Sequence, residues 1–186
     1  MNRMFFLILL LLAGVLVTTS CEDTPPDVNE EEVITTLTLT FEPTNGGDAV
    51  TFQYQDLDGD GGEAPTITEG TVDPNTTYTV RVGLLNESVT PAEDVALEVA
   101  EEDADHQFFF VFEGIAATHS YTDTDGNGNP LGLLNEVVTT DAGSGTMTVT
   151  LRHEPNKAGD GVAAGDPTNA GGETDIEVTF DFVVQQ

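Results

Sequence analysis

Ile176-Glu177-Val178-Thr179-Phe180-Asp181-Phe182-Val183-Val184 places an apolar side chain at every even position, with polar residues between them as far as Asp181. Side chains alternate across a strand with a period of two, so this stretch reads as a β-strand with one buried face. The same alternation runs through 34–41, 49–54, 77–85 and 146–153. Hydroxyl residues occupy many of the outward positions, as suits a half-buried pleated surface. Between 34–41 and 49–54 lies Pro43-Thr44-Asn45-Gly46-Gly47-Asp48, turn chemistry that predicts a hairpin of the first two strands. Residues 65–69 suggest a further short strand. His106-Gln107-Phe108-Phe109-Phe110-Val111-Phe112 is nearly continuous in apolar character and reads as a central strand buried on both faces.

One segment points elsewhere. Thr90-Pro91-Ala92-Glu93 combines a hydroxyl N-cap, proline at the first helical position and a glutamate placed for a capping box. It predicts a helix over 92–105, although Val95, Leu97 and Val99 also alternate as in a strand. Residues 154–174 are rich in Gly, Asp, Asn and Pro and read as a long loop. These elements predict an all-β, mainly antiparallel domain over 33–186, an immunoglobulin-like β-sandwich with one short helix.

Two acidic loops sit at matching places in this order. Tyr54-Gln55-Asp56-Leu57-Asp58-Gly59-Asp60-Gly61 is echoed by Tyr121-Thr122-Asp123-Thr124-Asp125-Gly126-Asn127-Gly128, and Glu69 and Glu136 follow at equal distances. The repeat suggests two related halves, 35–88 and 107–155, facing each other as two sheets. Each loop matches the first half of an EF-hand loop, but the twelfth position is Ile67 in one and Leu134 in the other. Two readings stay open. Asp56, Asp58, Asp60 and Glu69, and Asp123, Asp125, Asn127 and Glu136, could each ligate calcium; alternatively, Asp, Asn and Gly simply suit the backbone angles of a turn.

His106, His119 and His153 are the three histidines, and convergence of all three, with Glu102 or Glu154 nearby, would make a zinc or copper site. They lack the close spacing of a local ligand motif, and strand-end histidines often bond to backbone instead. No G-x-S-x-G, phosphate-binding glycine loop or H-E-x-x-H occurs in the sequence. The chemistry expected is therefore binding rather than catalysis.

Asp and Glu number 34 against 4 Lys and Arg, a formal net charge of −30. That charge repels nucleic acid and anionic membrane surfaces as partners. The acids are spread along the whole chain, which favours an acidic surface suited to high salt over one cation-gathering face. The first 20 residues carry Arg3, the apolar run Phe5 to Leu12 and then small residues, the pattern of a secretory signal. The lone Cys21 follows directly after Val17-Thr18-Thr19-Ser20, in the manner of a bacterial lipobox, and is the expected site of lipidation. Residues 21–32, acidic and proline-containing, read as an extended tether from that anchor.

Cys21 and the tether, Asp56 to Gly62, Leu85-Asn86-Glu87-Ser88 with Thr90 to Asp94, His106-Gln107, Leu151 to Lys157 and Asn169 to Asp175 together resemble a group of small lipoproteins of Bacteroidota-type bacteria. The label of a type 1 periplasmic binding fold attached to some of that group implies a large two-lobed α/β chain, and neither the length nor the strand pattern here matches it. The resemblance implies a lipid anchor in the cell envelope, at the outer membrane. The tether, the single domain and the missing catalytic motifs lead to the expectation of a non-enzymatic domain that binds a ligand or an envelope protein, as an accessory to outer-membrane uptake; the alternative, from the three histidines, is a lipoprotein that handles zinc or copper.

Overall fold

In the computed structural model, which describes residues 32–59 and 61–186, the alternating stretches become strands of two sheets. One sheet contains β1 (Thr36–Pro43), β2 (Val50–Gln55), β3 (Thr66–Thr68), β5 (Thr77–Asn86), β8 (Ala117–Tyr121) and β9 (Leu134–Thr139) in the order β3-β2-β1-β5-β9-β8, with the two-residue β6 (Glu93–Asp94) added to β5. The other contains β4 (Thr71–Val72), β7 (His106–Glu113), β10 (Gly143–His153) and β11 (Glu173–Val184) in the order β4-β11-β10-β7. Every pairing is antiparallel except that of β4 with β11. Among the described residues the fold is an all-β sandwich with one short α-helix, as expected.

The sheets are joined by their inward faces. Leu37, Leu39 and Phe41 of β1, Phe52 of β2 and Tyr78, Val80 and Leu84 of β5 are buried against Phe108 and Phe110 of β7, Met147, Val149 and Leu151 of β10 and Val178, Phe180 and Phe182 of β11. Phe182 stacks on Phe52 at 5.7 Å between centroids and lies 6.0 Å from Phe41, so a single ring from one sheet touches two strands of the other. Truncating a core aromatic to alanine costs about 3–5 kcal/mol, which makes this layer the main source of stability.

Four expectations change. The helix, α1 (Val95–Glu101), is half the predicted length, and its N-cap is Asp94 rather than Thr90. Glu93 and Asp94, which the capping pattern would have used in the first turn, pair with Asn86 and Leu85 of β5 instead. Tertiary pairing overrides the local cap signal there. The aromatic strand β7 lies at a sheet edge, not at its centre. Its outer face is nonetheless buried, because the 154–172 segment folds over it: Phe109 packs with Val162 and Ala170, and Gln107 Nε2 donates to the Val162 carbonyl at 3.0 Å.

The two proposed halves do not form one sheet each, since β8 and β9 join the first sheet while β7 and β10 join the second. Finally, β9 was not anticipated, because two of its three inward residues, Asn135 and Thr139, are polar. Asn135 is satisfied in the core by donating to the Gly132 carbonyl at 2.6 Å and by bonding the His119 ring. The signal, Cys21 and all of the tether except Glu32 lie outside the described residues. No helix among the described residues is long and apolar enough to cross a membrane.

Candidate metal centre

His106 opens β7 and His153 closes β10, and the antiparallel register sets them directly opposite each other. Opposed residues on one face of an antiparallel pair sit side by side. Their ring centroids are 4.7 Å apart. Asp175 enters from the next strand through an irregularity: Leu151 pairs with Ile176 and Arg152 with Thr174, so Asp175 is the extra residue of a β-bulge. Bulges re-aim side chains. Here the Asp175 carboxylate turns inward and is only 1% exposed. The fourth group is Glu32, just before β1, whose side chain is 3% exposed.

Glu32 Oε1 lies 2.7 Å from His106 Nε2 and Glu32 Oε2 lies 3.8 Å from His153 Nδ1. The Asp175 oxygens are 3.8 Å from His106 Nε2 and 4.0 Å from His153 Nδ1. The four ligand atoms all fall within 4.8 Å of one another, and this is the one such group of three or more among the described residues. It could hold a metal ion.

Hydrogen bonding separates this cluster from an ordinary ion-pair network. Among the described residues, seven buried side-chain nitrogen and oxygen atoms have no hydrogen-bond partner, and five of them belong to this cluster: Glu32 Oε2, His106 Nε2, His153 Nδ1 and both Asp175 oxygens. An unsatisfied buried polar atom costs about 1–3 kcal/mol, so five in one place call for a common partner. The 2.7 Å approach of Glu32 to His106 also lacks hydrogen-bond direction. His106 Nδ1 lies 3.1 Å from the Glu102 carbonyl, which can only accept, so the ring proton sits on Nδ1 and a neutral ring offers a lone pair at Nε2. Lone pairs from a nitrogen and a carboxylate then meet at one point. That is the arrangement of a metal-ligating histidine oriented by a backbone carbonyl. Without a cation, burial pushes the Asp175 carboxyl up to about 6, helped by the charge of Glu32 and, once Asp175 is protonated, by a hydrogen bond to Glu32, and opposed by both histidines in their protonated form.

The carboxylates differ from those anticipated. Glu102 and Glu154 are exposed, and Glu102 contributes only its carbonyl. Glu32 falls in the expected tether, and Asp175 falls between the expected loop 154–174 and the strand expected from Ile176. A signal was present: a histidine at the start of one strand, a histidine at the end of the next and an aspartate before the third meet at one sheet end if the three pair antiparallel. His119 stands apart. It stacks on Phe110 at 4.6 Å, bonds Asn135 at 2.9 Å through Nε2, and burial lowers its basicity so that it stays neutral.

Both acidic loops connect paired strands, β2 to β3 and β8 to β9. In the first, Asp56 accepts from the Gly59 amide at 2.9 Å and Asp58 from the Glu63 amide at 2.9 Å, while Asp60 is outside the described residues. Glu69 accepts from the Asp181 amide of β11 at 2.7 Å. In the second, Asp123 accepts from the amides of Gly132 and Leu134 at 2.8 and 2.9 Å. Asp125 accepts from Asn127 and Asn129 and meets Lys157 Nζ at 3.1 Å. Burial alone would raise the Asp125 carboxyl, but these amides and the ammonium hold it down to about 2. Asn127 contributes its amide to that turn, and Glu136 points outward from β9. Beside this loop, Tyr121, Asp123, Pro130 and Ala164 help to line an open cleft of about 410 Å³.

No protein-family model, no curated protein and no solved structure matches this chain.

Proposed function

We propose that this protein is an envelope lipoprotein, anchored by acyl chains on Cys21, whose β-sandwich domain is a non-enzymatic binding module that holds one transition-metal ion, zinc ahead of copper. The observation that carries the metal reading is the set of five buried, unpartnered ligand atoms on Glu32, His106, His153 and Asp175. Two imidazoles and two carboxylates are zinc ligands, bound at about 2.0–2.1 Å, which puts tetrahedral ligand atoms about 3.3 Å apart. The nitrogen–oxygen separations, 2.7 to 4.0 Å with both oxygens of each carboxylate counted, lie around that value. The four-atom set as a whole closes within 4.8 Å, so a bound zinc would draw the ligands together. Two neutral imidazoles, two carboxylates and a divalent ion also sum to zero charge, which suits a buried site. Calcium fits less well there, since it takes six to eight oxygens. Four protein ligands leave no open coordination position, so the ion holds structure or is carried as cargo rather than activating a substrate.

Elemental analysis of untagged protein tests this. The expected result is about one zinc per chain, lost in His106→Ala and in His153→Ala; metal content that neither substitution changes would overturn it. The anchor is tested by acyl-chain labelling, which Cys21→Ser should abolish. A second reading, binding of an envelope partner in an uptake role, draws on the open cleft beside Tyr121 and Asp123. It predicts a partner whose cross-linking to a probe at Thr124, which lines the cleft, competes with excess unlabelled protein.

A further inference from the structure

Three of the four ligands lie within or at the start of strands of one sheet, but Glu32 lies on the stretch that leads into the domain. Among the described residues, the first backbone hydrogen bond of the chain runs from the Thr35 amide to the Leu85 carbonyl at 2.9 Å. Ile34 is half-buried against the core and Val33 is 57% exposed. Glu32 is thus held to the sandwich by its carboxylate, 3% exposed, against His106, His153 and Asp175. Burying that carboxylate beside a second one is unfavourable unless a cation compensates both.

We infer that the metal ion acts as a clasp on the N-terminal entry of the domain: when bound, it fixes Glu32 to the end of the β7-β10-β11 sheet, and when removed, it releases residues 32 and 33, up to the packed Ile34. This rests on the metal reading above. His106, His153 and Asp175 form the seat, which the sheet register preassembles, and Glu32 is the movable ligand. Loading the ion sets the point at which the preceding chain leaves the domain. Releasing it adds about 7 Å of free chain, at roughly 3.3 Å per residue.

A glutamate-specific endoproteinase reads this directly, because it must take the Glu32 side chain into its own pocket to cut before Val33. The full chain would be digested under native conditions with equimolar zinc and with chelator, and bound zinc would be measured in the same samples. Cleavage after the exposed Glu63 in the first acidic loop serves as the internal reference. The expected result is cleavage after Glu32 at least tenfold slower with zinc, with cleavage after Glu63 unchanged. Stoichiometric zinc with equal cleavage after Glu32 in both conditions would overturn the clasp while leaving the metal site standing. Absence of bound zinc would overturn both. Glu32→Ala supplies the second measurement: it should still bind zinc through the remaining three ligands, at least tenfold more weakly, and unchanged affinity would contradict a ligand role for Glu32.

Discussion

His106 and His153 are cross-strand partners, paired in register between β7 and β10, with ring centroids 4.7 Å apart and planes tilted by 47°. Neither ring nitrogen directed at Glu32 and Asp175 has a hydrogen-bond partner. The consequence is a division of labour among the three histidines. His106 and His153 face the carboxylates, while His119 packs as a neutral ring between Phe110 and Tyr121.

That division is testable with His119→Phe. The substitution keeps the stacking on Phe110 but leaves the buried Asn135 oxygen without the ring nitrogen, at a cost of about 1–3 kcal/mol. Thermal unfolding should show this loss, and zinc content should stay at the wild-type value. A fall in zinc content in a folded variant would place His119 in the ligand set.

Lys157 and Asp125 provide a second test. Lys157 Nζ sits 3.1 Å from the Asp125 carboxylate and 2.6 Å from the Asp103 carbonyl, so it ties the 154–172 segment to the second acidic loop. Removing one partner of a buried pair leaves the other uncompensated, and Asp125→Ala should destabilise the fold by about 3–5 kcal/mol in denaturant unfolding. A loss below about 1 kcal/mol would mean that the pair is effectively solvated.

The same carboxylate sets a pH dependence. Asp125 is held down to about 2, below its ordinary value of 3.8, so the folded protein binds fewer protons than the unfolded chain between those limits. Its contribution is fully present above about pH 4 and is lost as pH falls towards 2. Wild-type stability should drop across that window more steeply than that of Asp125→Asn; parallel acid-unfolding curves would refute the assignment.

For the first acidic loop the geometry supports the turn reading, because Asp56 and Asp58 accept hydrogen bonds from Gly59 and Glu63 and Glu69 is committed to β11. Calcium and sodium at matched ionic strength should then shift the unfolding midpoint equally. A calcium-specific rise that Asp58→Ala removes would establish an ion site there instead.

Local period decided what could be read from the chain. Ile176 to Val184 announces its strand because alternate residues alone must be buried, and the first hairpin follows from Asn45-Gly46 between two such stretches. Leu134 to Thr139 breaks the apolar alternation because its inward Asn135 and Thr139 are polar, and the groups that satisfy them in the core, Gly132 and His119 for Asn135 and Asp73 for Thr139, lie outside the strand. Thr90 to Glu93 misled because a cap signal is local, and Glu93 found a strand partner instead. The candidate metal centre shows the same boundary. Two of its four groups are recognisable as histidines, but Asp175 joins them through a bulge and Glu32 through the path of the chain before β1, both consequences of long-range pairing.

The most direct test of the metal centre is a crystal of the domain grown with equimolar zinc and measured on either side of the zinc absorption edge. The expected result is one anomalous peak per chain, about 2 Å from His106 Nε2, His153 Nδ1 and one oxygen each of Glu32 and Asp175. An empty position there, with the two histidines hydrogen-bonded directly to the two carboxylates, would contradict it.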